Sequence, residues 1–163
     1  MHNFAKIAAD LYGDNIVFNE FDSRLAQAVE EAGFKEPTEV QMATFDASLS
    51  GEDVFVSAET GSGKTAAYLL PIFEYLLQTD ANHEIRALVL VPTRELAQQV
   101  LKQAKSLARL TSLTLGHIGG GTDIKKQTQL VKEPADFIVA TPGRLLELMA
   151  RDLVDLESVQ MLV

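Results

Sequence analysis

The 163-residue sequence predicts an α/β fold: a mostly parallel sheet with helices on both faces. Three observations predict it. Short apolar runs at Val54–Ser57, Ala87–Val91, Leu113–Ile118, Phe137–Ala140 and Gln160–Val163 alternate with stretches of helical period. Ala87–Val91 and Phe137–Ala140 are continuously apolar, the pattern of strands buried on both faces. Polar or glycine-rich segments follow the runs, where ligands bind in open parallel sheets.

The first twenty residues carry no clear period, and 1–17 are set apart as a short-helical or irregular arm ahead of a domain over 18–163. Asp22 or Ser23 can cap a helix with Leu25, Val29 and Ala32 on one face, ended by Gly33. Pro37-Thr38 opens a second helix, to about Leu49 before Gly51. Val54–Ser57 reads as a strand, and a third helix runs from the glycine loop to about Gln78, kinked by Pro71. After the strand at Ala87–Val91, Thr93 to about Leu110 is helical, and Leu113–Ile118 is a strand ending in Gly119-Gly120-Gly121. Asp123 to about Val131 is a helix, Phe137–Ala140 a strand, and a helix with Leu145, Leu148 and Met149 leads to a last strand at Gln160–Val163.

At 47% hydrophobic, the chain can build one real core. There is no Cys, which excludes disulfides and thiolate metal sites and fits a reducing compartment. His2, His83 and His117 lack ligand spacing. There is no apolar run of about 18 residues and no basic, then apolar, signal-like start. The reading is a soluble, cytoplasmic protein with no membrane partner. Net charge is −9, yet the whole acidic excess lies in residues 1–60. Between 86 and 132 eight Lys and Arg face only Glu95 and Asp123, a local balance that permits a phosphate-binding face.

The most informative segment is Ala58-Glu59-Thr60-Gly61-Ser62-Gly63-Lys64-Thr65. An apolar run precedes it and a helical pattern follows, the setting of a phosphate-binding P-loop. Glycines let backbone N–H groups curl around a phosphate, and the helix start adds positive potential. Lys64 can reach outer phosphates and the Thr65 hydroxyl can ligate Mg²⁺, so these two are the candidate catalytic residues. The general pattern begins with Gly where this sequence has Ala58. Pro92-Thr93-Arg94, Gly119-Gly120 and Thr141-Pro142-Gly143-Arg144 follow three other runs, on the rim expected to carry the P-loop.

Taken together these segments resemble the N-terminal RecA-like domain of the DEAD-box RNA helicases, over about Phe18 to Val163. In family order they are the Q motif from Gly33 to Gln41, motif I at Ala58–Thr65 (where the family favours Ala first), motif Ia at Pro92–Ala97, Gly119-Gly120, and motif Ib at Thr141–Arg144. The resemblance implies ATP with Mg²⁺ as cofactors. It assigns nucleotide contacts to Phe34, Lys35, Pro37, Thr38, Gln41 and the whole of Ala58, Glu59, Thr60, Gly61, Ser62, Gly63, Lys64 and Thr65. Phe18 is the candidate for a further upstream aromatic, with Phe21 as the alternative. The residues alone favour Thr38-x-x-Gln41 as a capping box, whereas the family context favours Gln41 reading the adenine edge. The resemblance also implies that single-stranded RNA is held by its sugar–phosphate backbone, without base specificity, at Pro92, Thr93, Arg94, Gly119, Gly120, Thr141, Pro142, Gly143 and Arg144.

In the family the strand near Met161 leads into Asp-Glu-Ala-Asp, and this sequence ends at Val163. The resemblance implies a fold incomplete at its C-terminus, with a second RecA-like domain as a partner elsewhere in the parent chain. The expectation is an ATP-dependent RNA helicase whose fragment alone hydrolyses ATP negligibly. Val54–Ser57 is expected to lack its usual neighbours, so a dimer through unpaired strands is a further expectation. The alternative function is a non-catalytic module binding nucleotide, RNA or a protein partner.

Overall fold

A computed structural model describes residues 17–79, 84–120 and 135–163. Residues 1–16 of the 1–17 arm, Gly121 and the helix expected from Asp123 to Val131 lie outside the described residues. The chain divides into two compact units, Met1–Gln78 with Ser106–Thr111, and Thr79–Lys105 with Ser112–Val163.

The first unit is helical. A 3₁₀ turn at Phe18–Glu20 precedes α1 (Ser23–Glu31). Asp22 caps α1, its carboxylate accepting from the Arg24 N–H at 2.9 Å. Arg24 also pairs with that carboxylate through its guanidinium, and this bond first of all holds the Asp22 carboxyl below its ordinary value. The helix ends at Gly33, where φ is +88°. There Gly33 N–H donates to Glu30 and Phe34 N–H to Val29, closing the two orphan carbonyls as only a left-handed residue allows.

Next come α2 (Glu39–Leu49) and α3 (Lys64–Gln78). The third helix continues unbroken through Pro71. It packs on α1 and α2. Its buried residues include Leu69, Leu70, Phe73 and Leu76, while α1 and α2 bury Leu25, Val29, Phe45 and Leu49. Phe21 meets Phe45 edge to face at 5.4 Å between ring centres. Glu74, buried on α3, accepts from the Asp22 N–H at 2.7 Å and so pins the entry to α1.

One expected element is absent. Val54–Ser57 forms no strand, and Phe55 is 96% exposed. Apolar, β-favouring side chains do not make a strand on their own, because a strand's backbone groups need a ladder partner, and this run has none among the described residues.

The second unit holds a four-stranded parallel sheet. Its strands are β1 (Ala87–Leu90), β2 (Leu115–Ile118), β3 (Phe137–Ala140) and β4 (Met161–Leu162), in the order β2-β3-β1-β4. Leu88 is level with Ile138, Val89 with Val139, and His117 with Val139. Between β1 and β2 runs α4 (Arg94–Leu107), and between β3 and β4 runs α5 (Pro142–Met149). One sheet face packs Leu88, Ile118, Ile138 and Ala140 against Leu145 and Leu148 of α5. Ala87, Val89, Phe137 and Val139 on the opposite face are buried as well, as continuous apolar runs require.

A polar hem crosses the amino ends of the strands. The residues just before them, Thr114, Asp136, Arg86 and Gln160, are joined by main-chain bonds: Phe137 N–H to Thr114, Arg86 N–H to Asp136, and Gln160 N–H to Arg86. Arg86 and Asp136 also form a buried ion pair at 2.7 Å. Burial pushes the Asp136 carboxyl up. The Thr114 N–H, the Arg86 guanidinium and the Thr114 hydroxyl outweigh that and hold it below the usual aspartate value.

Candidate functional site

In the first unit, the segment around Gln41 and the glycine loop are bonded to each other. Thr38 is the N-cap of α2 and Gln41 occupies the third helical position, forming a capping box. The Gln41 side-chain oxygen accepts from the Thr38 N–H at 3.0 Å. Its nitrogen donates to the Gly63 carbonyl at 3.1 Å. The Thr38 hydroxyl donates to the Ser62 carbonyl at 2.8 Å. Gln41 is fully buried, and its amide keeps one lone pair and one N–H beyond these bonds. The cap is therefore formed, and the same two side chains also tether the loop. Sequence reasoning missed the tether, since nothing in the residue types links positions 22 apart.

Gly63 has φ +95°, and a Cβ there would lie 2.7 Å from Gln41 Nε2 and 2.8 Å from Thr38 Oγ1. Only glycine combines this backbone with so close an approach. Gly61 also has positive φ, +85°, but open space around it. Ala58, Glu59, Thr60 and Gly61 are exposed, while Ser62, Gly63, Lys64 and Thr65 are half-buried. The Lys64 ammonium lies within the curl of the loop, donating to the carbonyls of Ala58 and Glu59. The Ser62 hydroxyl is buried with no hydrogen-bond partner among the described residues. Thr65 hydrogen-bonds Tyr68 one turn on, and burial raises the Tyr68 phenol against the pull of that bond.

This donor set suits a polyphosphate: an orphaned hydroxyl, an ammonium inside the loop, and the start of a fifteen-residue helix. Among the described residues no group of three or more His, Cys, Asp or Glu could hold a metal, so a cation here would depend on Thr65 and the ligand's own oxygens. Of the candidate aromatics, Phe18 is 7% exposed and meets Phe34 edge to face at 6.1 Å, and Phe21 is buried too. Phe34 and Pro37 are half-buried, and Lys35 is exposed.

In the second unit, three of the expected segments follow β1, β2 and β3 on the carboxyl rim of one sheet. The fourth, the glycine loop, belongs to the first unit. Pro92, Thr93 and Arg94 are exposed. Thr93 accepts from the Leu96 N–H at 3.2 Å and so caps α4. Thr141 precedes α5 with Pro142 in its first turn, and its hydroxyl makes no capping bond. Pro142 and Gly143 are exposed. Arg144 pairs loosely with Glu147 through Nε at 3.4 Å, while its Nη1 is buried without a hydrogen-bond partner among the described residues. Gly119 is buried and Gly120 half-buried. His117 was not among the expected site residues. It lies on β2, two positions before Gly119, and burial lowers its imidazole from the ordinary value, which favours the neutral ring at pH 7. No helix among the described residues is long and apolar enough to cross a membrane.

A family model described as DEAD/DEAH box helicase matches residues 38–163. The ATP-dependent RNA helicase SrmB of Haemophilus influenzae is 42% identical over 150 residues, which cover 90% of this chain and 34% of that protein. SrmB of Escherichia coli is 41% identical over 146 residues, covering 88% of this chain and 33% of that one. The chain thus spans about a third of the length of these relatives. Among solved structures, the crystal structure of a hypothetical ATP-dependent RNA helicase from Sulfolobus tokodaii matches with a TM-score of 0.79 at 40% identity, over 87% of this chain and 40% of that one.

Proposed function

The chain belongs to the DEAD/DEAH box helicase family, and from that premise we propose that residues 18–163 supply the ATP-binding and RNA-binding portion of an ATP-dependent RNA helicase. The observation that carries the nucleotide part is the bonded assembly of Thr38 and Gln41 with Ser62 and Gly63. It couples an adenine-reading segment to a phosphate-binding loop within one unit. Lys64, the Ser62 hydroxyl and the loop N–H groups would hold the phosphates of ATP, and Thr65 would hold Mg²⁺ through them. The ion would neutralise phosphate charge as the terminal phosphoryl group is transferred. Gln41 would offer its spare lone pair and N–H to the adenine edge, and Phe34 would close over the base.

RNA would lie along the carboxyl rim of the sheet. Thr93 and Thr141 bring hydroxyls, Arg94 and Arg144 bring charge, and the unpartnered Arg144 Nη1 supports an anionic ligand. Such contacts read backbone and not base. A second RecA-like domain completes the hydrolytic machinery in this reading. The cysteine-free composition agrees with a reducing cytoplasm. The exposed Val54–Val56 run supports pairing with a second copy when this chain is studied alone.

Competition of ATP and GTP against a fluorescent adenine nucleotide, with Mg²⁺, tests the reading. Preference for ATP in the wild-type chain, lost in Gln41→Ala, supports it. Equal competition by GTP in the wild type would remove the adenine assignment.

A further inference from the structure

We propose that Gly119-Gly120 is a seat for two side chains, the His117 imidazole and the Arg94 guanidinium, and that this seat orients Arg94 toward the RNA backbone. The proposal rests on the RNA reading given above.

Glycine at these positions is usually credited with backbone freedom or with letting a ligand come close. The geometry gives a different reason. The positive-φ glycines among the described residues are Gly33, Gly51, Gly61 and Gly63, so Gly119 and Gly120 do not need glycine for their backbone. What they lack is room. A Cβ on Gly119 would lie 2.4 Å from His117 Nε2 and 2.5 Å from Cε1. A Cβ on Gly120 would lie 2.9 Å from Arg94 Nη2, 3.0 Å from Nε and 3.1 Å from Cζ. Near-equal distances to three atoms of one guanidinium mean that the planar fork lies across the glycine and does not touch it end on.

The Arg94 guanidinium is the far end of a long flexible side chain, whereas the His117 imidazole is a rigid, part-buried ring. A methyl group added at Gly120 would push the guanidinium aside at small cost in stability, a loss of position, whereas one added at Gly119 would displace a ring that has little room to yield. Arg94 is the first residue of α4, where a cation meets the positive end of the helix. It makes no ion pair among the described residues. A guanidinium held there without a carboxylate is placed for an anionic ligand. His117 Nε2 is buried without a hydrogen-bond partner among the described residues, and the ring packs over Gly119.

The test combines two measurements on the full chain. The first is the Arg94 Nε–Hε resonance by NMR in the free protein. The second is the affinity for a labelled oligouridine across a salt series. Gly120→Ala is expected to move the Arg94 resonance and leave thermal unfolding unchanged. It should weaken RNA binding by the same factor as Arg94→Ala, ~10-fold or more for a lost charged contact. The slope of log affinity against log salt should fall by ~0.7, one phosphate's share for a single strand. The double variant Arg94→Ala with Gly120→Ala should be no weaker than either alone. Gly119→Ala should lower the melting temperature by driving a methyl group into the imidazole, and adding His117→Ala should restore it by vacating the ring's space. An unmoved Arg94 resonance in Gly120→Ala overturns the seat, as does additive loss in the double variant or no rescue by His117→Ala. Arg144→Ala separates the two levels. Lost affinity in Arg144→Ala with none in Gly120→Ala overturns the seat alone. A wild-type chain that binds no oligouridine overturns the RNA reading and the orienting role with it.

Discussion

The side-chain amide of Gln41 donates to the carbonyl of Gly63 at 3.1 Å while accepting from the N–H of Thr38 at 3.0 Å. One partner is a donor and the other an acceptor, so the amide has only one workable orientation. Gln41→Ala removes both bonds: the Gly63 carbonyl keeps the Ala67 N–H at 3.1 Å, so the main loss is the acceptor of the part-buried Thr38 N–H, at about 1–3 kcal/mol. Gln41→Glu keeps the acceptor for Thr38 but sets a carboxylate against the Gly63 carbonyl. At pH 7, urea unfolding should place Gln41→Glu nearer to Gln41→Ala than to the wild type. A Glu variant as stable as wild type would mean the bond to Gly63 contributes nothing.

The two loop glycines should respond differently. Gly61→Ala strains only the backbone, whereas Gly63→Ala also drives a methyl group into Gln41 and Thr38. Calorimetry with ATP and Mg²⁺ is expected to show weakened binding for Gly61→Ala and no measurable binding for Gly63→Ala. Equal losses would show that backbone strain alone decides.

Lys64→Ala removes a charged donor from the loop, and nucleotide affinity should fall by ~10-fold or more. The ammonium also gathers the carbonyls of Ala58 and Glu59. Amide hydrogen exchange across residues 58–63 should therefore quicken in the nucleotide-free variant. Unchanged exchange would mean that the loop keeps its shape without the lysine.

The Arg86–Asp136 pair gives a pH signature. The carboxyl is held below its ordinary value, so its contribution is complete above about pH 4, the usual aspartate range, and is lost as pH falls through the folded value. Breaking a buried pair costs about 3–5 kcal/mol, and Asp136→Ala should lose stability on that scale at pH 7. The wild-type advantage over Asp136→Asn should shrink as urea melts are repeated from pH 5 downward. A constant gap would contradict a titrating origin.

Phe55 is almost wholly exposed, so Phe55→Lys should leave the melting temperature unchanged. If Val54–Val56 mediates pairing between copies, the same substitution should shift the chain toward monomer in light scattering. A monomeric wild type would remove that proposal.

Much of the sheet was legible in the residues. Ala87–Leu90 and Phe137–Ala140 are apolar at every position, a local property that needs no knowledge of neighbours. The cap at Asp22 and the stop at Gly33 were equally local. Val54–Ser57 differs for the opposite reason: its side chains favour a strand, but a ladder is a relation to another segment, and the neighbours it is expected to lack are absent among the described residues. The site follows the same division. The glycine loop and the Thr38–Gln41 cap stand in short stretches of sequence. The bond from Gln41 to Gly63, the ion pair across 50 positions from Arg86 to Asp136, and the Arg94 fork over Gly120 depend on where the fold brings distant residues. Composition and period carry no trace of them.

The hem through Thr114, Asp136, Arg86 and Gln160 fastens all four strands at the end opposite the candidate RNA rim. A parallel sheet is exposed to register error, since a slip of one residue turns every side chain to the wrong face. Here a charged pair reinforces the main-chain bonds at the amino margin, while the carboxyl margin is joined by main-chain bonds alone, Val91 N–H to Ala140 and Thr141 N–H to Ile118. The connections beyond those bonds can then vary while the register is held at both ends of the strands. A fold fastened in this way can change what it grips while remaining the same fold.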